Sequence, residues 1–144
     1  MVQQIVTVVT LGVSDVARSR GFYADGLGWP VVLDVPGEVC FLQVGHGLVL
    51  SLYSAADQDR DSGSGPSTGP GNVVPACNVG SDDEVLALTE RFRDAGATVL
   101  VEPRRAAWGG YYAFCADPDG IRWEIAHNAG LVTAPDGRVT IGPA

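Results

Sequence analysis

"IVTVVTLGVSD", residues 5–15, is a run of β-branched and apolar residues that stops at a Ser-Asp pair. β-Branched residues favour an extended, half-buried backbone, and Ser or Asp favours the cap of a helix, so the stretch reads as a strand feeding a helix. The same sense returns at residues 72–84, "NVVPACNVGSDDE". A strand-to-helix junction that occurs twice marks two copies of one unit, and the remaining chain is assigned outward from these two junctions.

In the first copy Ser14 or Asp15 can cap a helix whose Val16, Ser19, Phe22 and Tyr23 share one face, and "LGW" at 27–29 ends it. In the second, Ser81 and Glu84 form an S-x-x-E capping box, Val85, Leu88, Phe92 and Ala95 form the apolar stripe, and Gly96 supplies the C′ position. "VVLDV", "EVCFLQV" and "LVLSLYS" follow the first helix as strands, and "TVLVEP", "YYAFCA" and "IRWEIAH" follow the second. "GHG" and "DPDG" sit where hairpin turns are needed. Each copy is therefore β-α-β-β-β, and the expected fold class is α+β with two tandem βαβββ modules. The expected boundaries are about 5–54 for the first module and about 72–128 for the second, within one domain spanning 1–144. Between the modules "AADQDRDSGSGPSTGPG", 55–71, is rich in Gly, Ser, Pro and Asp and predicts a linker or mobile loop that buries nothing, with a lid as the alternative. The end, about 129–144, predicts a small hairpin in "LVTAPDGRVTI" about its Pro-Asp-Gly turn.

Composition bounds the function. A chain of 144 residues, 46% hydrophobic, is long enough to bury roughly two-thirds of its unfolded surface. Nine basic residues against seventeen acidic ones leave a net charge of −8, which argues against nucleic-acid binding and against anionic membrane surfaces. Cys40, Cys77 and Cys115 are odd in number and lack CxxC spacing, so reduced thiols in a reducing compartment are expected. The apolar opening has no basic n-region and is too short to span a bilayer, so the expected location is cytoplasmic.

Alternation along the strands sorts their faces. The "GHG" turn sets Ser51 opposite Phe41, Val49 opposite Gln43 and Tyr53 opposite Val39, leaving Cys40, Leu42, Val44, Leu50 and Leu52 on an apolar face. With Pro118 and Asp119 as a two-residue turn centre, Glu124 falls opposite Ala113, Arg122 opposite Cys115 and Ala126 opposite Tyr111, while Trp123 meets Phe114 and Ile125 meets Tyr112. Glu124 thus stands on the mixed face of its sheet, where a buried charge needs a partner or a use.

Two β-α-β-β-β units in tandem, with "VTLGVSDVARSRGFYADGLGW" early and "WGGYYAFCADPDGIRWEIAHN" late, resemble the vicinal oxygen chelate superfamily, which includes glyoxalase I, bleomycin-resistance proteins and extradiol dioxygenases. The resemblance implies sheets that curve into a cup with helices on the outer faces, a divalent metal inside the cup in the enzymes, and subunits that pair as dimers. The family's metal-ligand positions fall on Val8, about Ser51, about Val74 and Glu124. Only Glu124 ligates strongly, so neither a metal nor another cofactor is expected.

His46 in the "GHG" turn reads as a surface residue, and His127, alternating with Trp123, as a satisfied edge histidine. Cys115 beside Arg122 is read as inert, a nucleophile being the alternative. "WGG" at 108–110 either shapes a pocket mouth or anchors its loop. The function expected is a metal-free binder of a small organic molecule, its cup lined by Phe41, Gln43, Ser51, Tyr53, Tyr111, Arg122 and Glu124. The alternatives are a metal-dependent enzyme of glyoxalase or dioxygenase type and a metal-independent enzyme with Glu124 as general base. A small molecule and a second copy of the chain are the expected partners.

Overall fold

The computed structural model describes residues 6–62 and 73–142, so the two chain ends and segment 63–72 lie outside the described residues. The chain divides into two compact units, residues 1–68 and 69–144.

In the first unit, strand β1 (Val8–Val13) leads into helix α1 (Val16–Arg20), and three strands follow: β2 (Val31–Val35), β3 (Val39–Gly45) and β4 (Leu48–Ser54). Their order in the sheet is β1-β4-β3-β2, with β1 parallel to β4 and the other pairs antiparallel. Asp15 is the cap, accepting from the Arg18 amide at 3.0 Å, while Ser14 accepts from the Arg18 guanidinium at 2.8 Å. Helix α1 then widens into a π-helical turn, Gly21–Gly26, closed by the Leu27 amide donating to the Phe22 carbonyl at 2.9 Å. A wider turn swings successive residues through a smaller angle, so adjacent Phe22 and Tyr23 both enter the core with their rings edge-on at 4.8 Å. They pack with Val16 and Ser19 over Cys40, Leu42, Leu50 and Leu52, the predicted apolar face, and all are buried. Full burial contributes about 1.5–3 kcal/mol for each large apolar side chain, which makes this face the main source of the unit's stability.

The predicted linker is corrected in its first half. Residues Ala55–Ser62 form helix α2. It buries no side chain, so no apolar pattern advertised it. Two contacts hold it to the sheet instead. The Tyr53 hydroxyl donates to Asp61 at 2.7 Å, and Gly12 on β1 lets the helix close in, since a Cβ there would lie 3.2 Å from the Ala55 Cα. The second half of the predicted linker lies outside the described residues.

The second unit repeats the plan. Strand β5 (Ala76–Asn78) precedes helix α3 (Asp82–Ala95), then come β6 (Thr98–Arg105), β7 (Tyr111–Ala116) and β8 (Arg122–His127), ordered β5-β8-β7-β6. Ser81 caps α3 by accepting from the Glu84 amide at 3.1 Å, and the Glu84 carboxylate reaches back to the Gly80 amide at 2.6 Å. Gly96 ends the helix in the left-handed conformation. The buried stripe is Val85, Thr89 and Phe92; Thr89 is tolerated there because its hydroxyl donates to the Val85 carbonyl at 2.7 Å. Leu88 and Ala95, expected in that stripe, are only partly covered. Strands β9 (Leu131–Thr133) and β10 (Val139–Ile141) form the predicted hairpin about Pro135, Asp136 and Gly137. The architecture is α+β, two βαβββ modules, each a mixed four-stranded sheet with a helix against one face. No helix among the described residues is long and apolar enough to cross a membrane.

Candidate functional site

The face of each sheet turned away from its core helix carries the candidate residues. In the first unit Phe41 lies opposite Ser51, Gln43 opposite Val49 and Val39 opposite Tyr53, as the "GHG" turn predicts. Most of the polar atoms here are already engaged. The Gln43 amide donates to the Gly45 carbonyl at 2.5 Å and the Leu48 carbonyl at 3.2 Å, which closes the hairpin. Tyr53 is held by Asp61, and that bond pushes its phenol pKa up, because ionising the hydroxyl removes the donor and sets two negative charges together. Val8 and Thr10 from β1 complete the face beside Val49 and Ser51.

The second unit corrects the predicted register by one residue. The turn between β7 and β8 has three residues, Pro118, Asp119 and Gly120, because Asp117 and Ile121 still pair at 2.8 Å. Gly120 adopts φ 82°, a left-handed conformation that glycine reaches without cost, and the Asp117 carboxylate accepts from the amides of Asp119 (2.9 Å) and Ile121 (2.8 Å). One extra turn residue moves every side chain of β8 to a new partner. Glu124 lies opposite Phe114, Ala126 opposite Tyr112, and Arg122 opposite Ala116, with Ala76 of β5 on the other flank of Glu124. Trp123 meets Cys115 and Ile125 meets Ala113 against α3.

Two expectations change with the register. Tyr111 leaves the Glu124 face: it pairs with His127 on the helix side, where its ring carries the Arg105 guanidinium at 5.0 Å. Cys115 is not beside Arg122 but buried opposite Trp123, and burial pushes its thiol up to about 11, so it is not a thiolate nucleophile. On β5 the residue level with Glu124 is Ala76. Tyr112, Phe114, Ala76 and Asn78 join Arg122 and Glu124 on the mixed face. Tyr112 and Phe114 meet edge-on at 5.8 Å. The sequence reasoning missed these four, and the signal that finds them is Gly120, which makes a three-residue loop the better reading of "DPDG".

Glu124 is half-buried, and its carboxylate has no hydrogen-bond or ion-pair partner among the described residues. Two other carboxylates of this unit are engaged. Glu102 holds Arg93 at 2.8 Å, and Asp82 accepts from His127 Nδ1 at 2.9 Å and from Arg105. The His127 bond, then the Arg105 bond, hold the Asp82 carboxyl below its usual range. His127 is thus satisfied, though on β8, an interior strand rather than the expected edge, and His46 is exposed in its turn. Trp108 lies over Gly110 in a loop fastened by the Arg105 guanidinium donating to the Gly109 carbonyl at 3.1 Å; the loop anchor is its observed contact.

A divalent metal of the kind the resemblance implies needs several oxygen or nitrogen ligands converging on one point. Among the described residues no three His, Cys, Asp or Glu side chains gather in this way. Of the strand positions that the resemblance implies, Val8, Ser51 and Val74 offer no strong ligand and only Glu124 carries a carboxylate, with Ala76 level with it on β5, a set that does not fit such an ion.

A family profile described as the Glyoxalase/Bleomycin resistance protein/Dioxygenase superfamily matches residues 4–125. Among solved structures, a glyoxalase-related enzyme from Fulvimarina pelagi is 36% identical over 97% of this chain and 99% of its own, with a TM-score of 0.88. A lactoylglutathione lyase from Agrobacterium tumefaciens shares the fold at 22% identity, TM-score 0.69, over 88% of this chain and 95% of its own. A glyoxalase/bleomycin resistance protein/dioxygenase from Nocardioides does so at 24% identity, TM-score 0.71, over 88% and 85%. No curated protein matches the chain. The repeated βαβββ modules and the profile spanning nearly the whole chain lead to one assignment: this protein belongs to the glyoxalase/bleomycin resistance protein/dioxygenase superfamily.

Proposed function

We propose that this protein binds a small organic molecule against the mixed face of its second sheet and does so without a divalent metal. The observation that carries the reading is Glu124, a half-buried carboxylate with no partner among the described residues, set between Phe114 and Ala76. Desolvating a carboxylate without a partner is unfavourable, so a fold that keeps one among aromatic rings and methyl groups gains most from it when a ligand supplies the donor. Arg122 lies at the turn end of the same face, and Tyr112 and Phe114 supply apolar contact area.

The experiment is a thermal-shift screen against metabolites and antibiotics, with and without divalent metals, beside elemental analysis of protein purified without chelator. Metal far below one ion per chain, with stabilisation by an organic compound independent of added metal, is the expected result. Near-stoichiometric metal that is lost in Glu124→Ala overturns the reading in favour of a metalloenzyme.

Assembly as a homodimer in a reducing, cytoplasmic setting belongs to the same proposal. Strand β2 is an edge of its sheet and exposes Val31, Val32, Leu33 and Val35, an apolar edge that natural proteins cover. All three cysteines are free, two of them buried. Light scattering that returns the 15.0 kDa of one chain at micromolar concentration rejects the dimer.

A further inference from the structure

Resting on the binding role just proposed, we infer that the ligand presents an organic ammonium group to Glu124 and carries it on an aromatic or apolar body. Three features of the face point to that chemistry. The first is what surrounds the acid. Phe114 lies directly opposite, Ala76 on the other flank and Ala126 two residues on, so the neighbours offer a π face and methyl groups. Asn78, opposite Ala126, adds one amide. A divalent ion is poorly served by one carboxylate, whereas an ammonium group is well served by one carboxylate and an aromatic face.

The second feature is that the fold already seats a cation on Tyr112, the ring next to Phe114. The Arg104 guanidinium lies 5.6 Å from the Tyr112 ring centroid, and its Nε donates to the Tyr112 hydroxyl at 3.0 Å. That site is taken. Phe114, edge-on to Tyr112 at 5.8 Å and opposite Glu124, is the ring on which a second cation lies closest to the unpartnered acid. The third feature is the net charge of −8, which raises the local concentration of cations and lowers that of anions before any contact forms.

The chemistry makes a ranking. At Glu124 an amine is held by a charge-assisted hydrogen bond and by attraction to the Phe114 face, an alcohol of the same shape by the weaker hydrogen bond alone, and an acid by neither, so a preference for the acid would mark Arg122 as the anchor instead. Phenethylammonium, 2-phenylethanol and 3-phenylpropionate serve as probes in amide chemical-shift titrations of the wild-type chain, Glu124→Gln and Glu38→Gln. Glu38 lies in the first unit's β2–β3 turn, so its variant removes the same charge elsewhere.

The expected result is that phenethylammonium shifts the Phe114 and Glu124 resonances and binds at least tenfold more tightly than 2-phenylethanol, with 3-phenylpropionate weakest. Glu124→Gln abolishes that preference, and Glu38→Gln retains it. The spectra themselves show whether each variant is folded. Equal affinity for amine and alcohol, tighter binding of the acid, or a preference that survives in Glu124→Gln overturns the inference. If the thermal-shift screen yields a ligand of neutral or anionic class, the ammonium inference falls while the binding role stands. If neither the screen nor the probes yield a ligand, both fall.

Discussion

The two modules share strand order and helix placement yet use their mixed faces differently. In the first, Tyr53 ties down helix α2 through Asp61 and Gln43 closes a hairpin. In the second, the same kind of face keeps Glu124 open beside Phe114. A repeated unit needs its apolar face in both copies to fold, so the two cores stay alike. The opposite face is under no such demand, and one copy spends it on local structure while the other leaves a charged group in reserve. On the proposed reading, function lives in that difference rather than in the fold the copies share.

The largest effects should come from what the modules have in common. Phe92→Ala removes a fully buried ring from the second core and is expected to cost about 3–5 kcal/mol, read from a urea denaturation midpoint. If the second module tolerates this loss with no change in midpoint, its core does not depend on α3 as the first depends on α1. Next comes Gly120→Ala, which forces a side chain into a left-handed turn and is expected to cost about 1–2 kcal/mol. Gly47 in the first hairpin has φ 73°, and its Ala variant is the companion experiment that compares the two turns.

A smaller effect separates the modules by pH. The folded Asp82 carboxyl titrates below the usual carboxylate value of 3.8 because His127 and Arg105 bond to it. A depressed folded pKa contributes stability that is present above the unfolded value and is lost as pH falls through the folded one. Asp82→Asn should therefore reduce stability near neutrality and flatten the loss of stability below about pH 4, while Asp34→Asn acts on the first unit through its 2.6 Å bond to Arg20. Acid titration of the unfolding midpoint checks this, and an Asp82→Asn profile parallel to wild type removes Asp82 from the account.

Much of this was legible in the chain itself, for a physical reason. The strand-to-helix junctions, the Ser81 cap, Gly96 and the pairing of Phe41 with Ser51 are local, set by side-chain period and turn chemistry within a few residues. What the sequence did not reveal depended on distant partners or on one turn residue. Helix α2 buries nothing and is fastened by Tyr53 and Gly12, which lie on neighbouring strands. The register of β8 turned on whether Gly120 belongs to the loop, and one residue was enough to replace Ala113 by Phe114 beside Glu124. The Asp82–His127 contact joins residues 45 apart and has no local signature.

The most direct test of the central claim is the denaturation midpoint of Glu124→Gln in the absence of ligand. A carboxylate kept for an external partner does not stabilise the empty fold, so the account predicts a variant as stable as wild type or more stable, with any loss below about 0.5 kcal/mol. A loss of more than about 1 kcal/mol shows that Glu124 is holding the protein together, and contradicts it.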